Sequence, residues 1–220
     1  VETYGYLDGA DWRIGDYRFD GGYGFFSLSY KGEKRGEFQL AMIGRHNVEN
    51  AAAVAALCLG LGLTFDEINS AFKSFQGIKR RQEVVGIEKG VTVLDDFAHH
   101  PTAIQTTLAG LRAKVGDEKI IAILEPRSNT MKMGVHQFTL LDSLRDADDV
   151  LLFEPENLNW SLKEQADKAG MQCFDSTTAI IDTVLENVEP NQHVLIMSNG
   201  GFNGLHQQLV DGLANKYSGE

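Results

Sequence analysis

The chain has 220 residues, of which 43% are hydrophobic and 23% charged, as in an ordinary folded globular protein. That length allows one large domain or two small ones. With 31 acidic residues against 20 Lys and Arg, the formal net charge is -11. An acidic chain repels a phosphate backbone, so we expect no nucleic-acid partner.

The sequence also indicates where the protein resides. Cys58 and Cys173 stand apart without metal-ligand spacing, so we interpret both as buried free thiols. The longest apolar run, residues 51–63, is too short to span a bilayer and contains two glycines. The first residues have neither the basic nor the apolar region of a signal peptide, and no initiator Met. We expect a cytoplasmic protein without a membrane partner, whose first residue lies inside a longer polypeptide.

The first part of the chain is rich in aromatic residues and glycine. Alternating runs over residues 12–19 and 25–30, bounded by the glycine pair 21–22 and by Lys31-Gly32, predict antiparallel hairpins. An alanine-rich stretch then predicts a helix that begins at Asn47 and ends near Gly60 or Gly62. Residues 65–75 predict a second helix, capped by Thr64 or Asp66.

A polar, basic hinge follows at residues 77–81, where the pattern of the sequence changes. We place a domain boundary there and predict two domains, 1–77 and 78–220.

Beyond the hinge, short β-rich runs alternate with amphipathic stretches. The predicted strands are 84–88, 91–94, 120–124, 150–153, 172–174 and 194–197. Such alternation predicts an α/β fold with a Rossmann-like, mostly parallel sheet and helices on both faces. Residues 84–88 should form a hairpin at one edge. Because ligands of such sheets bind at the carboxyl ends of the strands, candidate site residues should follow the strands.

Residues 95–102 follow one predicted strand and contain two adjacent carboxylates, Asp95 and Asp96, and two adjacent imidazoles, His99 and His100. Pro101 can begin the next helix. Adjacent histidines point in different directions and no third ligand has a recognisable spacing, so we predict no metal site. A solvated loop remains an alternative, but the position at a strand end favours a functional segment.

Residues 124–130 follow the next strand and offer Arg127 beside Ser128, Asn129 and Thr130. A guanidinium with neutral hydrogen-bonding neighbours suits a carboxylate or a phosphate. The alternative is that Arg127 only pairs with a structural acid such as Glu125.

Two further strand-end segments are less specific. Residues 154–157 are mainly acidic and either meet a substrate ammonium or bind nothing. Residues 198–204, which include Asn199, join a strand to the last predicted helix, and backbone N–H groups there could hold an anion. Glycine pairs also serve tight turns, so that alternative stays open. The sequence contains no GxxxxGK[ST] phosphate-binding loop.

Residues 44–51, before the predicted boundary, contain His46, Asn47 and Asn50 at a helix start. Asn47 and Asn50 are three residues apart and share a helix face. Two carboxamides there can cap the helix or bind the edge of a base.

Together these segments resemble the Mur ligase family, the ATP-dependent amide-bond ligases of bacterial peptidoglycan synthesis. GRHNVENA at 44–51 is similar to the family's GxHNxxNA segment, and DDFAHHPT at 95–102 is similar to its DDxxHHPT segment. Arg81 matches the arginine that opens the family's C-terminal domain. The resemblance covers essentially the whole chain. It implies that residues 1–77 end the central ATPase domain, with antiparallel strands and helices, and that residues 78–220 form the C-terminal Rossmann-like domain.

The resemblance implies a reaction as well. ATP would phosphorylate the muramic acid carboxylate of UDP-N-acetylmuramate, and the amine of L-alanyl-γ-D-glutamyl-meso-diaminopimelate would attack the acyl phosphate. Ligation of L-alanine, or a Rossmann-like binding module without chemistry, remain the alternatives. The P-loop, most ligands of Mg²⁺ and the domain for the uridine nucleotide would precede Val1, so we expect the chain to be inactive alone.

Site residues follow from the same resemblance. Those implied to contact ATP are His46, Asn47 and Asn50 at the adenine, Asp96 at the ribose and Arg81 at the phosphates. His99 and Arg81 are implied to be catalytic. Those implied to contact the other substrates are His100, Arg127, Ser128, Asn129 and Asn199. The role of Arg127 depends on its position in the segment more than on a shared motif.

Overall fold

The computed structural model describes residues 1–20, 23–42, 44–75 and 77–218. They form two compact units, Val1–Gly77 and Ile78–Glu220. The predicted turn at the glycine pair 21–22 lies outside the described residues. In this part of the chain no helix combines the length and the apolar character needed to cross a bilayer.

The sheet of the first unit has four strands in chain order: β1 (Tyr4–Gly5), β2 (Trp12–Asp20), β3 (Tyr23–Tyr30) and β4 (Glu33–Leu40). β2 and β3 pair antiparallel, which confirms the predicted hairpin, and β3 pairs antiparallel with β4. Lys31 and Gly32 connect β3 to β4 with φ of 49° and 86°, the pair of positive angles that a type I′ hairpin turn needs. β4 was not predicted, because its first five residues are largely charged and only Phe38 and Leu40 are buried.

Two helices complete this unit: α1 (Arg45–Gly60) and α2 (Phe65–Ser74). α1 begins two residues earlier than predicted. Thr64 caps α2 as predicted, because its hydroxyl accepts from the Glu67 N–H while the Glu67 carboxylate accepts from the Thr64 N–H. The core is formed by fully buried residues of the sheet and of α1, among them Phe26, Leu28 and Val48.

The second unit is built on a six-stranded sheet in the order β5-β6-β10-β7-β8-β9. Its strands are β5 (Glu83–Glu88), β6 (Val91–Asp96), β7 (Ile120–Leu124), β8 (Asp149–Phe153), β9 (Gln172–Phe174) and β10 (His193–Met197). β5 is the antiparallel edge strand, and the other pairs are parallel. The structure therefore confirms the predicted α/β fold and every strand predicted in this unit. β6 extends through Asp96, two residues further than predicted.

Helices cover both faces of this sheet. They are α3 (Pro101–Val115), α4 (Asn129–Lys132), α5 (Leu162–Ala169), α6 (Thr177–Asn187) and α7 (Leu205–Tyr217), with 3₁₀ turns at Leu141–Leu144 and Phe202–Gly204. On one face, Leu124 packs in a cluster with Leu108 of α3. On the other, Ile123 packs in a cluster with Leu209 of α7. All residues of β7 are buried, as expected of a strand covered on both sides.

Neither cysteine is fully buried, which corrects the interpretation from the sequence. Cys58 and Cys173 are free thiols of intermediate exposure. Partial burial raises the pKa of Cys173 to about 11, so this thiol stays protonated near neutral pH.

Candidate functional site

The strand order brings three of the predicted segments together. β10 lies between β6 and β7, and Met197 is in register with both Asp96 and Leu124, so these three strands end at the same level. Backbone hydrogen bonds continue past that level, from Ser198 N–H to the Asp96 carbonyl at 3.1 Å and from Glu125 N–H to the Met197 carbonyl at 3.0 Å. Segments 95–100, 125–130 and 198–204 therefore form one strand-end site.

The loop after β10 is held rigidly in this site. The Ser198 hydroxyl donates to the Glu125 carboxylate at 2.5 Å and accepts from the Gly200 N–H at 2.9 Å. The Arg80 guanidinium donates to the carbonyls of Ser198 and Gly200, at 2.6 and 2.9 Å. Glu125 and Ser198 are both buried. Among the described residues, the Glu125 carboxylate forms no ion pair with Arg127, so the alternative that these two side chains pair is wrong.

Arg127 lies at the carboxyl ends of these strands. The residue is exposed, and among the described residues its side chain makes no hydrogen bond or ion pair. It lies against the backbone of Gly200, where an added Cβ would come within 2.7 Å of Arg127 Cδ and Cζ. Glycine at position 200 thus lets the Arg127 side chain lie against the loop, with its N–H donors available to an anion.

A second cation in the site, Arg80, is structural. Its Nε lies 3.0 Å from the Asp95 carboxylate, whose other oxygen lies 3.0 Å from His206 Nε2 at the start of α7. Arg80 adopts a left-handed backbone conformation with φ of 60°. Its neighbour Arg81 is exposed, with the guanidinium carbon 5.9 Å from the centre of the Phe97 ring. From the sequence we selected Arg81 and missed Arg80. The two arginines are adjacent, and only the backbone conformation decides which side chain turns into the site.

The pKa of Asp95 reflects this network. Burial by itself raises it, but the nearby His206 ring and the hydrogen-bonded guanidinium of Arg80 outweigh burial and hold the pKa below the ordinary value. A carboxyl with a depressed pKa in the folded state contributes stability above its unfolded pKa, and the contribution is lost as the pH falls through the folded pKa.

We therefore expect the stabilisation contributed by Asp95 to disappear in acid. At pH 7, Asp95→Asn should lower the free energy of unfolding by on the order of 1.5 kcal/mol, the scale of a hydrogen bond between charged groups. Below about pH 4, the ordinary range of an Asp pKa, the difference from the wild type should shrink towards zero. Urea unfolding at pH 7, 5, 4 and 3 measures this. Asp117→Asn, at an exposed position, is the control, and a constant difference for Asp95→Asn at all pH values would contradict the prediction.

Asp96 is buried and already engaged. It is 2% exposed, and its carboxylate accepts from the N–H groups of Gln82 at 2.9 Å and Ala98 at 2.8 Å, with the Thr107 hydroxyl at 3.4 Å. Burial raises the pKa of Asp96, although these hydrogen bonds oppose the rise. This arrangement ties the hinge to the end of β6. The contact of Asp96 with a ribose stays a prediction.

The two histidines after β6 point to different tasks. His99 is half-buried, and its Nδ1 lies 2.8 Å from the Phe97 carbonyl, so Nδ1 carries the proton and Nε2 is the acceptor of the neutral ring. His100 is exposed and is the N-cap of α3, where its Nδ1 accepts from the Thr102 N–H at 3.3 Å. Pro101 begins α3, as predicted.

The remaining residues of the predicted substrate site lie at the same edge. Ser128 is the N-cap of α4, with its hydroxyl 3.4 Å from the Met131 N–H, and Asn129 is exposed. Asn199 is half-buried, and its buried Oδ1 accepts no hydrogen bond from a described residue. Glu154, in the acidic segment, accepts from the first N–H groups of α5 and so has a structural task.

The predicted adenine site belongs to the first unit. Gly44 precedes α1 with φ of 97°, and an added Cβ there would meet the His46 ring at 2.8 Å, so this position requires glycine. Asn47 is half-buried and Asn50 is exposed. Buried Val48 lies between them in the first turns of α1.

Across residues 1–20, 23–42, 44–75 and 77–218, no three His, Cys, Asp or Glu side chains are grouped to hold a metal ion.

A doubly wound α/β domain of this kind defines the Rossmann-like class, whose members bind ligands at the carboxyl ends of the strands. Residues 80–200, more than half of the chain, match the family model described as Mur ligase, glutamate ligase domain. The chain belongs to the Mur ligase family, which confirms the resemblance found in the sequence.

Relatives of the chain within the family are named as ligases of different substrates. The chain is 46% identical over 188 residues to the UDP-N-acetylmuramate–L-alanyl-γ-D-glutamyl-meso-2,6-diaminoheptandioate ligase of Escherichia coli (strain K12), covering 84% of this chain and 41% of that protein. It is 32% identical over 225 residues to the UDP-N-acetylmuramate–L-alanine ligase of Geotalea daltonii, covering 96% and 48%.

A solved structure, a murein peptide ligase from Psychrobacter arcticus 273-4, is 40% identical with a TM-score of 0.68, covering 94% of this chain and 45% of that one. The chain thus spans less than half the length of these three relatives.

Proposed function

We propose that this chain is the C-terminal part of a cytoplasmic, ATP-dependent ligase that joins L-alanyl-γ-D-glutamyl-meso-diaminopimelate to UDP-N-acetylmuramate in the recycling of cell-wall peptide. The higher identity to the peptide ligase of Escherichia coli than to the L-alanine ligase supports this substrate over L-alanine. We assign residues 1–77 to the end of the central ATP-binding domain and residues 78–220 to the C-terminal domain. Magnesium would be held mainly by residues upstream of this chain.

The observation that carries the proposal is the guanidinium of Arg127. The tripeptide bears several carboxylates, and a protein with a net charge of -11 needs a cation to attract them. Arg127 is exposed at the strand ends and lies on the Gly200 backbone, so its fork of donors is preoriented for a carboxylate. We place Ser128, Asn129, His100 and Asn199 around the same peptide.

The other residues have tasks suited to their side chains. Exposed Arg81 would reach the phosphates of ATP, and His46, Asn47 and Asn50 would lie beside the adenine. An incoming amine must lose a proton when it becomes an amide. His99, with Nδ1–H directed to a carbonyl and Nε2 as acceptor, is the residue we assign to receive that proton or to orient the amine.

The test is product formation by the full-length ligase supplied with ATP, magnesium, UDP-N-acetylmuramate and either the tripeptide or L-alanine. We expect release of ADP and formation of the UDP-muramyl tripeptide, detected by mass spectrometry, with the tripeptide far preferred. Ligation of L-alanine in preference to the tripeptide would assign the protein to the other branch. If no ligated product forms, the remaining alternative is a binding module without chemistry.

We further expect that the 220-residue chain by itself neither hydrolyses ATP nor forms an amide bond. Phosphoryl transfer needs a phosphate cradle and a magnesium ion, and the chain has no GxxxxGK[ST] loop. Phosphate release assays with and without magnesium measure this, with the full-length ligase as the positive control. Magnesium-dependent turnover by the purified chain would overturn the prediction.

A further inference from the structure

A surface cavity of about 420 Å³ lies beside the strand-end site and shares His100 with the peptide-binding residues proposed above. It is lined by His100 and Thr102 at the start of α3 and by His136, Arg145 and Asp146 from the segment after α4. Segment 129–136 joins the cavity to Arg127 along the chain. The Val135 N–H donates to the Thr130 carbonyl at 3.1 Å, which keeps this connection compact.

Two imidazoles form one part of the cavity wall. The rings of His100 and His136 meet edge to face, with their centres 4.3 Å apart. Within the described ranges, neither imidazole contacts a carboxylate. Partial burial and the nearby His100 lower the pKa of His136, the direction expected when cationic groups face each other without a counter-anion. A bound carboxylate would relieve this repulsion.

The same cavity contains anionic groups. Arg145 pairs with Asp142 at 2.7 Å, an ion pair that is mostly exposed. The Asp146 backbone carbonyl accepts from Arg112, whereas its carboxylate makes no hydrogen bond or ion pair within the described part of the chain. The lining therefore combines donors for a carboxylate with an acceptor for an ammonium.

We propose that this cavity binds the free amino-acid end of the diaminopimelate residue, with its carboxylate at His100 and His136 and its ammonium at Asp146. This inference rests on the proposed function. Diaminopimelate has an amino-acid group at each end of its carbon chain. One of its amines is used in the amide to glutamate, so the opposite end keeps both charges. A cavity with groups of both signs selects such a zwitterion over an end that carries a single charge.

The test compares two peptides in the full-length ligase: the diaminopimelate tripeptide and its counterpart with L-lysine, which keeps the ammonium but lacks the distal carboxylate. His136→Gln should raise the KM of the diaminopimelate peptide about tenfold and change the KM of the lysine peptide and of ATP less than twofold. Asp146→Asn should raise the KM of both peptides, because both carry the ammonium. His100→Asn keeps an acceptor that caps α3 and should behave as His136→Gln does.

His193→Gln is the matched control, because His193 begins β10, at the opposite end of the strand from the site, and pairs with Glu118 there. It should leave every KM unchanged. Equal KM changes for the two peptides in His136→Gln, or no change for either, would overturn the proposed cavity.

A binding measurement separates this inference from the proposed function. In the 220-residue chain, NMR should show that meso-diaminopimelate shifts the ring signals of His100 and His136 and raises the pKa of His136. The control is 1,5-diaminopentane, which has two amines but no carboxylate. If these shifts occur but the full-length enzyme forms no ligated product, the proposed function is wrong and the proposed ligand of the cavity is supported. If the enzyme ligates the tripeptide but these shifts are absent, only the proposed ligand of the cavity is wrong.

Discussion

Replacing Arg127 by lysine in the full-length ligase should raise the KM of the tripeptide roughly tenfold or more, equivalent to about 1.4 kcal/mol per decade, and leave the KM of ATP almost unchanged. A planar guanidinium binds a carboxylate with two parallel hydrogen bonds, whereas an ammonium acts as a point charge. Arg127 lies against Gly200 and has no hydrogen-bond or ion-pair partner among the described residues. The substitution would therefore weaken the binding of its ligand and not a contact within the protein. Steady-state kinetics with each substrate varied in turn measure both constants.

Two glycines of the same loop give a matched pair of controls. Gly200→Ala adds a Cβ that displaces the Arg127 guanidinium and should reproduce the rise in the KM of the tripeptide. Gly201→Ala adds a Cβ that meets nothing within 4 Å and should have no effect. A higher KM for ATP with an unchanged KM for the peptide would make Arg127 a phosphate ligand. The peptide site would then have to be sought around residues 154–157 or 199–203.

Asp96→Ala should lower the free energy of unfolding of the unit Ile78–Glu220 by roughly 2–5 kcal/mol. The substitution leaves the N–H groups of Gln82 and Ala98 without their acceptor in a buried place, and each such loss costs about 1–3 kcal/mol. Urea unfolding of the 220-residue chain, followed by circular dichroism, measures the loss. A change within 0.5 kcal/mol, roughly the range of a surface substitution, would contradict the structural role.

The same variant tests the ribose contact in the full-length ligase. If Asp96 also accepts from the ribose, the KM of ATP should rise in Asp96→Ala at a temperature where the variant is folded. Thr107→Val removes only the 3.4 Å contact to Asp96 and serves as the control for small changes in packing. An unchanged dependence on ATP in Asp96→Ala would show that the ribose assignment is wrong.

Local sequence patterns were sufficient for most of the second unit. The apolar runs of β7 and β10, Pro101 at the start of α3 and the alternation of strands with helices depend on neighbours along the chain. β4 was missed because an exposed strand that begins with charged residues has almost no apolar alternation to detect. Gly44 and the Thr64 cap are again local features, because a positive φ and a capping box each involve only a few consecutive residues.

The sequence by itself determined the α/β class, the strands of the second unit and the segments that carry polar side chains, because periodicity and turn chemistry are local. Only the tertiary structure decided which side chains remain available to a ligand. Arg80 reaches Ser198 across 118 residues, and Ser198 reaches Glu125 across 73. Those partners become neighbours through the strand order β6-β10-β7, which no local pattern encodes. The side chains of Arg80 and Glu125 form hydrogen bonds that hold the loop after β10. Arg127, two residues after Glu125, is exposed at the carboxyl ends of the strands.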